Sequence, residues 1–193
     1  MGNQLINRCK ANNSEVSEHT LPYLYTSDAP NKEFLLNLTN FKKSSFNDNK
    51  IGRITGLDPA GPLYGIPILI NSKKRLTKGD ALFVDIIHTC AGVFGMPQII
   101  GDVDFYPNGG SSQPGCSFLD FNCKHFRAAL YYAESVSSNT GFVAYKCTSW
   151  EAYTEETCAN NEKQLMGYPV TATSNGKYYL TTNAKSPFAQ GDL

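Results

Sequence analysis

Residues 81–89 read ALFVDIIHT, apolar at nearly every position. A strand wet on one face alternates apolar and polar residues, so an uninterrupted β-rich run of this kind marks a strand covered on both faces. That demand points to an α/β class. Neighbouring segments agree. IGRITGLD (51–58) is a strand whose end carries an acid, and PAGPLYGIP after it is punctuated by Pro and Gly. QIIGDVDFYP (98–107) reads as a further strand closed by a Pro-Asn-Gly-Gly turn. LPYLYTS (21–27) and EFLLNLTNF (33–41) are shorter strand candidates, whereas residues 1–20 are polar, without period, and read as a poorly packed arm. KHFRAALYYAESVSS (124–138) is the clearest helix. Phe126, Ala129, Leu130, Ala133 and Val136 recur at helical spacing, which predicts that they face the core and leave Arg127 and Glu134 on the wetter side.

A chain of 193 residues suits one domain or a piece of a larger one. Seventeen basic residues balance 17 acidic ones, with no block of like charge, which argues against nucleic acid as a partner. No run is long enough to span a bilayer, and MGNQLINRCK lacks the apolar core of a secretory leader. Ile6 also breaks the myristoylation pattern. Six cysteines and 3 histidines show no zinc-type spacing. An even cysteine count with sequons at Asn12 and Asn37 leans toward an oxidising, secretory setting, in which case the leader has been lost or was never present. The sequence defines no oligomeric state.

Asp58 lies at a strand's C-terminal edge, where open α/β sheets place ligands and catalytic groups. His125 opens the helix, two residues after Cys123. A strand-end Asp followed by a later His matches the last two members of a Ser, Asp, His order, in which the imidazole takes the serine proton and the carboxylate fixes its tautomer. Read singly, each has a plainer role, as a turn or a capping residue. His88 ends an apolar strand and reads as a satisfied core histidine. Asp80, Asp102 and Asp104 read as hydrogen-bonded or solvated acids, with both acids of DVD on one strand face and no third ligand. No Gly-x-Ser-x-Gly elbow occurs in these residues. The nearest approach, GGSSQ (109–113), puts Gln113 where the second glycine belongs, so Ser111 and Ser112 read as loop residues.

ITGLDPAGPLY, FVDIIHT, GDVDFYPNGGSSQPGC and CKHFRAALYYAES, in this order, resemble the pancreatic-lipase-like family, and within it the short-lid phospholipase A1 branch that includes venom phospholipases. The resemblance runs over about residues 51–191, with a weaker echo at LPYLYTSDAPN. It implies a partial α/β-hydrolase fold: first strands in 21–46 and an Asp/His half in 51–191, together an incomplete lipase domain spanning 21–191. It implies triad roles for Asp58 and His125. It also implies a lid disulfide between Cys116 and Cys123, a second bridge between Cys147 and Cys158, and an extracellular location. Cys9 and Cys90 are left as an unsupported third pair. The short lid, SFLDFN, goes with phospholipase A1 chemistry in this family. Phe118, Leu119 and Phe121 either give that loop an apolar face for a lipid interface or pack inward.

Departures from the family pattern are as informative. NFKKSSFNDNK stands where the family carries its oxyanion turn, its serine elbow and several central strands. Their omission is expected to leave apolar edges such as FVDII exposed. The calcium-binding stretch keeps only Arg75 and Asp80, so neither a metal nor another cofactor is expected. Two functions follow from the resemblance. The chain is a truncated, catalytically incompetent form of a carboxylic-ester hydrolase for phospholipid or glyceride, or it is a non-catalytic lipid-binding, storage or decoy protein of the same fold.

Overall fold

The computed structural model describes residues 25–26, 33–36, 51–62, 65–67 and 75–191. The N-terminal arm, both sequons, Cys9 and most of the first-strand region lie outside the described residues. Described elements run β1 (Tyr25–Thr26), β2 (Glu33–Leu36), β3 (Ile51–Leu57), β4 (Ala81–Ile87), β5 (Val103–Pro107), α1 (Phe121–Ser137), β6 (Val143–Lys146), α2 (Trp150–Thr154), β7 (Lys163–Leu165) and β8 (Gly176–Leu180). They form one mixed sheet in the order β1-β2-β3-β4-β5-β8-β6-β7. The run from β2 to β8 is parallel, and β1, β6 and β7 add antiparallel pairings at the two ends.

β4 sits inside this sheet, between β3 and β5. Phe83, Val84, Ile86 and Ile87 are all buried. FVDII is therefore not an exposed edge, contrary to the expectation above, because a ladder runs along each side of it and its two faces feed separate cores. Leu57, Phe83, Ile87, Val103 and Phe105 pack against Ala128, Tyr131 and Tyr132 of α1. Ile54, Val84 and Ile86 pack on the opposite face with Leu76, Met96 and Ile100, which come from connections rather than helices. Period-two alternation assigns each side chain to its core. On the α1 side, Arg53 grips Asp85 with two bonds of 2.8 and 3.0 Å and reaches the carbonyls of Gly167 and Tyr168, tying β3 and β4 to the loop before β8.

Two expectations change. The strand ending at Pro107 begins at Val103, not near Gln98, because the N–H groups of Ile100 and Gly101 turn inward to the Asp104 carboxylate instead of joining a ladder. α1 also buries the opposite face from the one its apolar spacing suggested. Lys124, Arg127, Ala128, Tyr131 and Tyr132 are buried, while Phe126, Leu130 and Val136 are about half exposed, at 52%, 49% and 54%. The reason is chemical. Arg127 donates to the carbonyls of Pro114 and Ala184, and Glu134 accepts the N–H groups of Phe188 and Ala189, so the helix docks by satisfying main-chain groups of two loops.

Candidate active site

The chain segments that carry the candidate residues meet beyond the C-terminal ends of β3, β4 and β5. β3 delivers Asp58. Its N–H still pairs with Ile87 O at 2.8 Å, but its φ is 47°, a left-handed conformation costing a non-glycine residue on the order of 1 kcal/mol or more. Continued alternation would send this side chain to the Ile54 face, away from α1; the left-handed turn re-aims it toward the helix. The carboxylate is fully buried and both oxygens are used. Oδ1 accepts the N–H groups of Thr89 and Cys90 at 2.8 and 2.9 Å, and Oδ2 lies 2.6 Å from His125 Nδ1. Gly95 closes over the same group. A Cβ there would stand 2.6 Å from Asp58 Cγ, so only glycine lets the loop after β4 approach so closely.

α1 delivers His125. Asp120 caps the helix by accepting the Cys123 N–H at 2.9 Å, and a disulfide joins Cys116 to Cys123 across the preceding loop. A carboxylate faces Nδ1, so the hydrogen-bond network assigns the proton to Nδ1 and leaves a lone pair on Nε2 of the neutral ring. Among the described residues no group bonds Nε2. The imidazole is 17% exposed and has Phe94 edge-on and Phe126 beside it, each with ring centroids at 5.9 Å.

Apolar side chains surround this opening. Phe118 and Leu119 are 82% and 73% exposed. Phe121 is half-buried, its ring 6.0 Å from Phe94. Lys124 braces the loop from beneath, donating to Phe118 O at 2.7 Å with its ammonium 5.2 and 5.3 Å from the Phe118 and Phe121 rings. Behind it, Arg127 Nε points to Cys116 Sγ at 3.4 Å and the guanidinium lies 4.6 Å from the Phe188 ring.

The other sequence candidates separate cleanly. His88 is fully buried and bonds Asp104. Asp102 accepts the Val84 N–H at 2.9 Å and pairs with Lys78 at 3.2 Å. Ser111 and Ser112 are exposed loop residues. Asp80 Oδ2 closes a turn on the Thr77 N–H at 2.9 Å, and Arg75 bonds Leu76 O at 3.0 Å. One carboxylate beside a guanidinium does not fit a hard divalent cation, which takes six or more oxygens, and among the described residues no three His, Cys, Asp or Glu cluster for a metal. Cys147 is joined to Cys158, and Cys90 is a buried thiol that burial pushes up in pKa.

Sequence reasoning missed the groups that hold Asp58, because main-chain donors leave no side-chain signature. The paired glycines Gly92 and Gly95 after β4 were the available sign of a tight loop there. It also missed Gln113. This residue is buried, and its amide is saturated, donating to Thr89 O and Pro107 O and accepting from Asn108 and Tyr131 at 2.9–3.1 Å.

The comparisons with known proteins agree with this architecture. A model of the lipase family matches residues 41–188. Pancreatic triacylglycerol lipase of Oryctolagus cuniculus is 37% identical over 172 residues, covering 72% of this chain and 36% of that protein. Pancreatic lipase-related protein 2 of Rattus norvegicus is 38% identical over 176 residues, 74% of this chain and 37% of that one. Lipase member H of Mus musculus is 41% identical over 120 residues, 58% of this chain and 26% of that one. The fold and these matches make the chain a member of the lipase family, in its pancreatic-lipase-like group, and that family implies an α/β-hydrolase fold. The chain spans between 26% and 37% of the length of these relatives.

Proposed function

We propose that this chain carries the acid and base half of a lipase-type serine esterase site, with His125 as the general base and Asp58 as the group that orients it. The observation behind this reading is the 2.6 Å contact between His125 Nδ1 and a carboxylate that two main-chain N–H groups hold in place. A base so arranged takes a proton at Nε2, and the carboxylate stabilises the imidazolium that forms. The domain is an incomplete lipase domain in which residues 51–191 supply the Asp/His half. The 193 residues contain no Gly-x-Ser-x-Gly elbow, so the chain by itself is catalytically silent.

The substrate class is an acyl ester at a lipid surface, phospholipid in the manner of a phospholipase A1, or glyceride. The short loop between Cys116 and Cys123 and its exposed Phe118 and Leu119 support an apolar contact surface beside His125. Two disulfides and the family favour an extracellular setting. No helix among the described residues is long and apolar enough to cross a membrane. The chain is expected to sediment with phosphatidylcholine vesicles or to float with a triolein emulsion, and to show no turnover of p-nitrophenyl butyrate. Binding unchanged by the double substitution Phe118→Ser and Phe121→Ser sinks the lipid-contact reading. Turnover that His125→Ala abolishes overturns the claim that the chain is silent.

A further inference from the structure

His88 has no place in a proton path through His125, yet every polar atom of its ring is engaged. The ring is fully buried and stacks on Tyr106 with centroids 4.3 Å apart and planes 5° from parallel. Nδ1 lies 2.8 Å from Met96 O, and Nε2 lies 2.9 Å from Asp104 Oδ1. A carbonyl oxygen only accepts, so Nδ1 carries a hydrogen. A second hydrogen lies between Nε2 and the carboxylate, on ring or acid, and the pair is neutral as a unit. Asp104 is itself fixed, because its oxygens accept the N–H groups of Ile100 and Gly101, both at 3.1 Å.

Met96 connects this pair to Asp58. Its carbonyl meets His88, and its N–H donates to Pro59 O at 2.8 Å, directly after Asp58. The Gly61 N–H meets Phe94 O at 2.6 Å, and the Gly95 N–H meets Cys90 O at 2.9 Å. Thr89, Cys90 and Gly95, which grip the Asp58 carboxylate, all lie within the loop whose two ends the His88 ring bonds together. We propose that His88 is a positioning residue: braced on Asp104, it clasps the base of loop 89–96 and so holds Asp58 against His125 Nδ1. The inference rests on Asp58 serving His125, not on which ester is cleaved.

Two amides separate the ends of the clasp. In His88→Asn the amide nitrogen replaces Nδ1 and keeps the Met96 bond; in His88→Gln it replaces Nε2 and keeps the Asp104 bond. The readout, on the intact 193-residue chain, is the low-field proton resonance of Nδ1–H between His125 and Asp58, assigned by its loss in Asp58→Asn. Hydrogen exchange of the Thr89 and Cys90 amides is followed alongside. His88→Gln is expected to lose the resonance and to speed those two amides about tenfold or more, whereas His88→Asn keeps the resonance and stays within about threefold of the parent. Thr55→Val, which removes a buried 2.9 Å bond to Asp85, serves as a control for general loss of stability. The proposal is overturned if folded His88→Gln retains the resonance and both protections, or if Thr55→Val loses them equally. Should His88→Gln not fold, folded His88→Asn decides, and loss of its resonance overturns the proposal. No readout involves turnover, so these results stand apart from the esterase reading.

Discussion

Replacing Asp58 by Asn reverses one hydrogen bond and leaves the others in place. The amide oxygen can still accept from Thr89 and Cys90, but its nitrogen then points a donor at His125 Nδ1. The ring must move its proton to Nε2, and the lone pair needed for proton abstraction is lost. Nitrogen-15 chemical shifts of His125 are expected to exchange their protonated and bare assignments in Asp58→Asn; an unchanged tautomer would contradict the assigned network. At this scale much was legible. An acid before Pro59 at a strand end, and a His next to a cysteine-bounded loop, declare themselves by residue type. The left-handed turn at Asp58 and the donors at Thr89 and Cys90 did not, because they are properties of backbone path. Neither residue's side chain announces them.

α1 shows where a periodic pattern misleads. The helix itself was legible, yet its apolar spacing assigned the wrong face inward. Charged side chains seldom bury without a partner, which is why the pattern puts Arg127 and Glu134 on the wet side, and here their partners are main-chain groups of two loops. Glu134 gathers the Ser186 hydroxyl and two N–H groups at 2.7–3.0 Å. Glu134→Ala leaves those donors without their acceptor and is expected to cost about 1–3 kcal/mol in urea unfolding. It should also expose the loop around Phe188 to limited proteolysis. A loss below about 0.5 kcal/mol would show that the loop is held by packing instead. β4 is the converse case. Its continuous apolar run predicted cover on both faces, and it has that cover, although the omission of family strands had suggested an edge.

At the scale of the whole molecule, five tyrosines among the described residues, Tyr106, Tyr131, Tyr132, Tyr178 and Tyr179, are buried in the cores. Burial raises the phenol pKa of Tyr106, Tyr131, Tyr178 and Tyr179 above the ordinary value of 10.0. The unfolded chain therefore loses these protons at lower pH than the folded one. Fewer protons on the unfolded state means stability falls as pH rises, beginning near pH 10 and continuing until the folded phenols ionise. Urea midpoints should begin to fall near pH 9, where the unfolded Cys90 thiol ionises while the buried one does not, and then drop more steeply above about pH 10, with a slope greater than one titrating group provides. A flat profile to pH 11 would contradict the burial of these rings.

Rings also lie in file across the molecule. Trp150, the sole tryptophan, stands 6.3 Å from Tyr179, Tyr179 stands 5.4 Å from Tyr106, and Tyr106 stacks at 4.3 Å on His88. The indole thus stands inside an aromatic column that continues to Tyr153, stacked on it at 5.2 Å, and whose other end, His88, is bonded to the loop that grips Asp58. Light absorbed by the phenols on either side, Tyr153 and Tyr179, is therefore expected to reach the indole and to emerge as tryptophan emission.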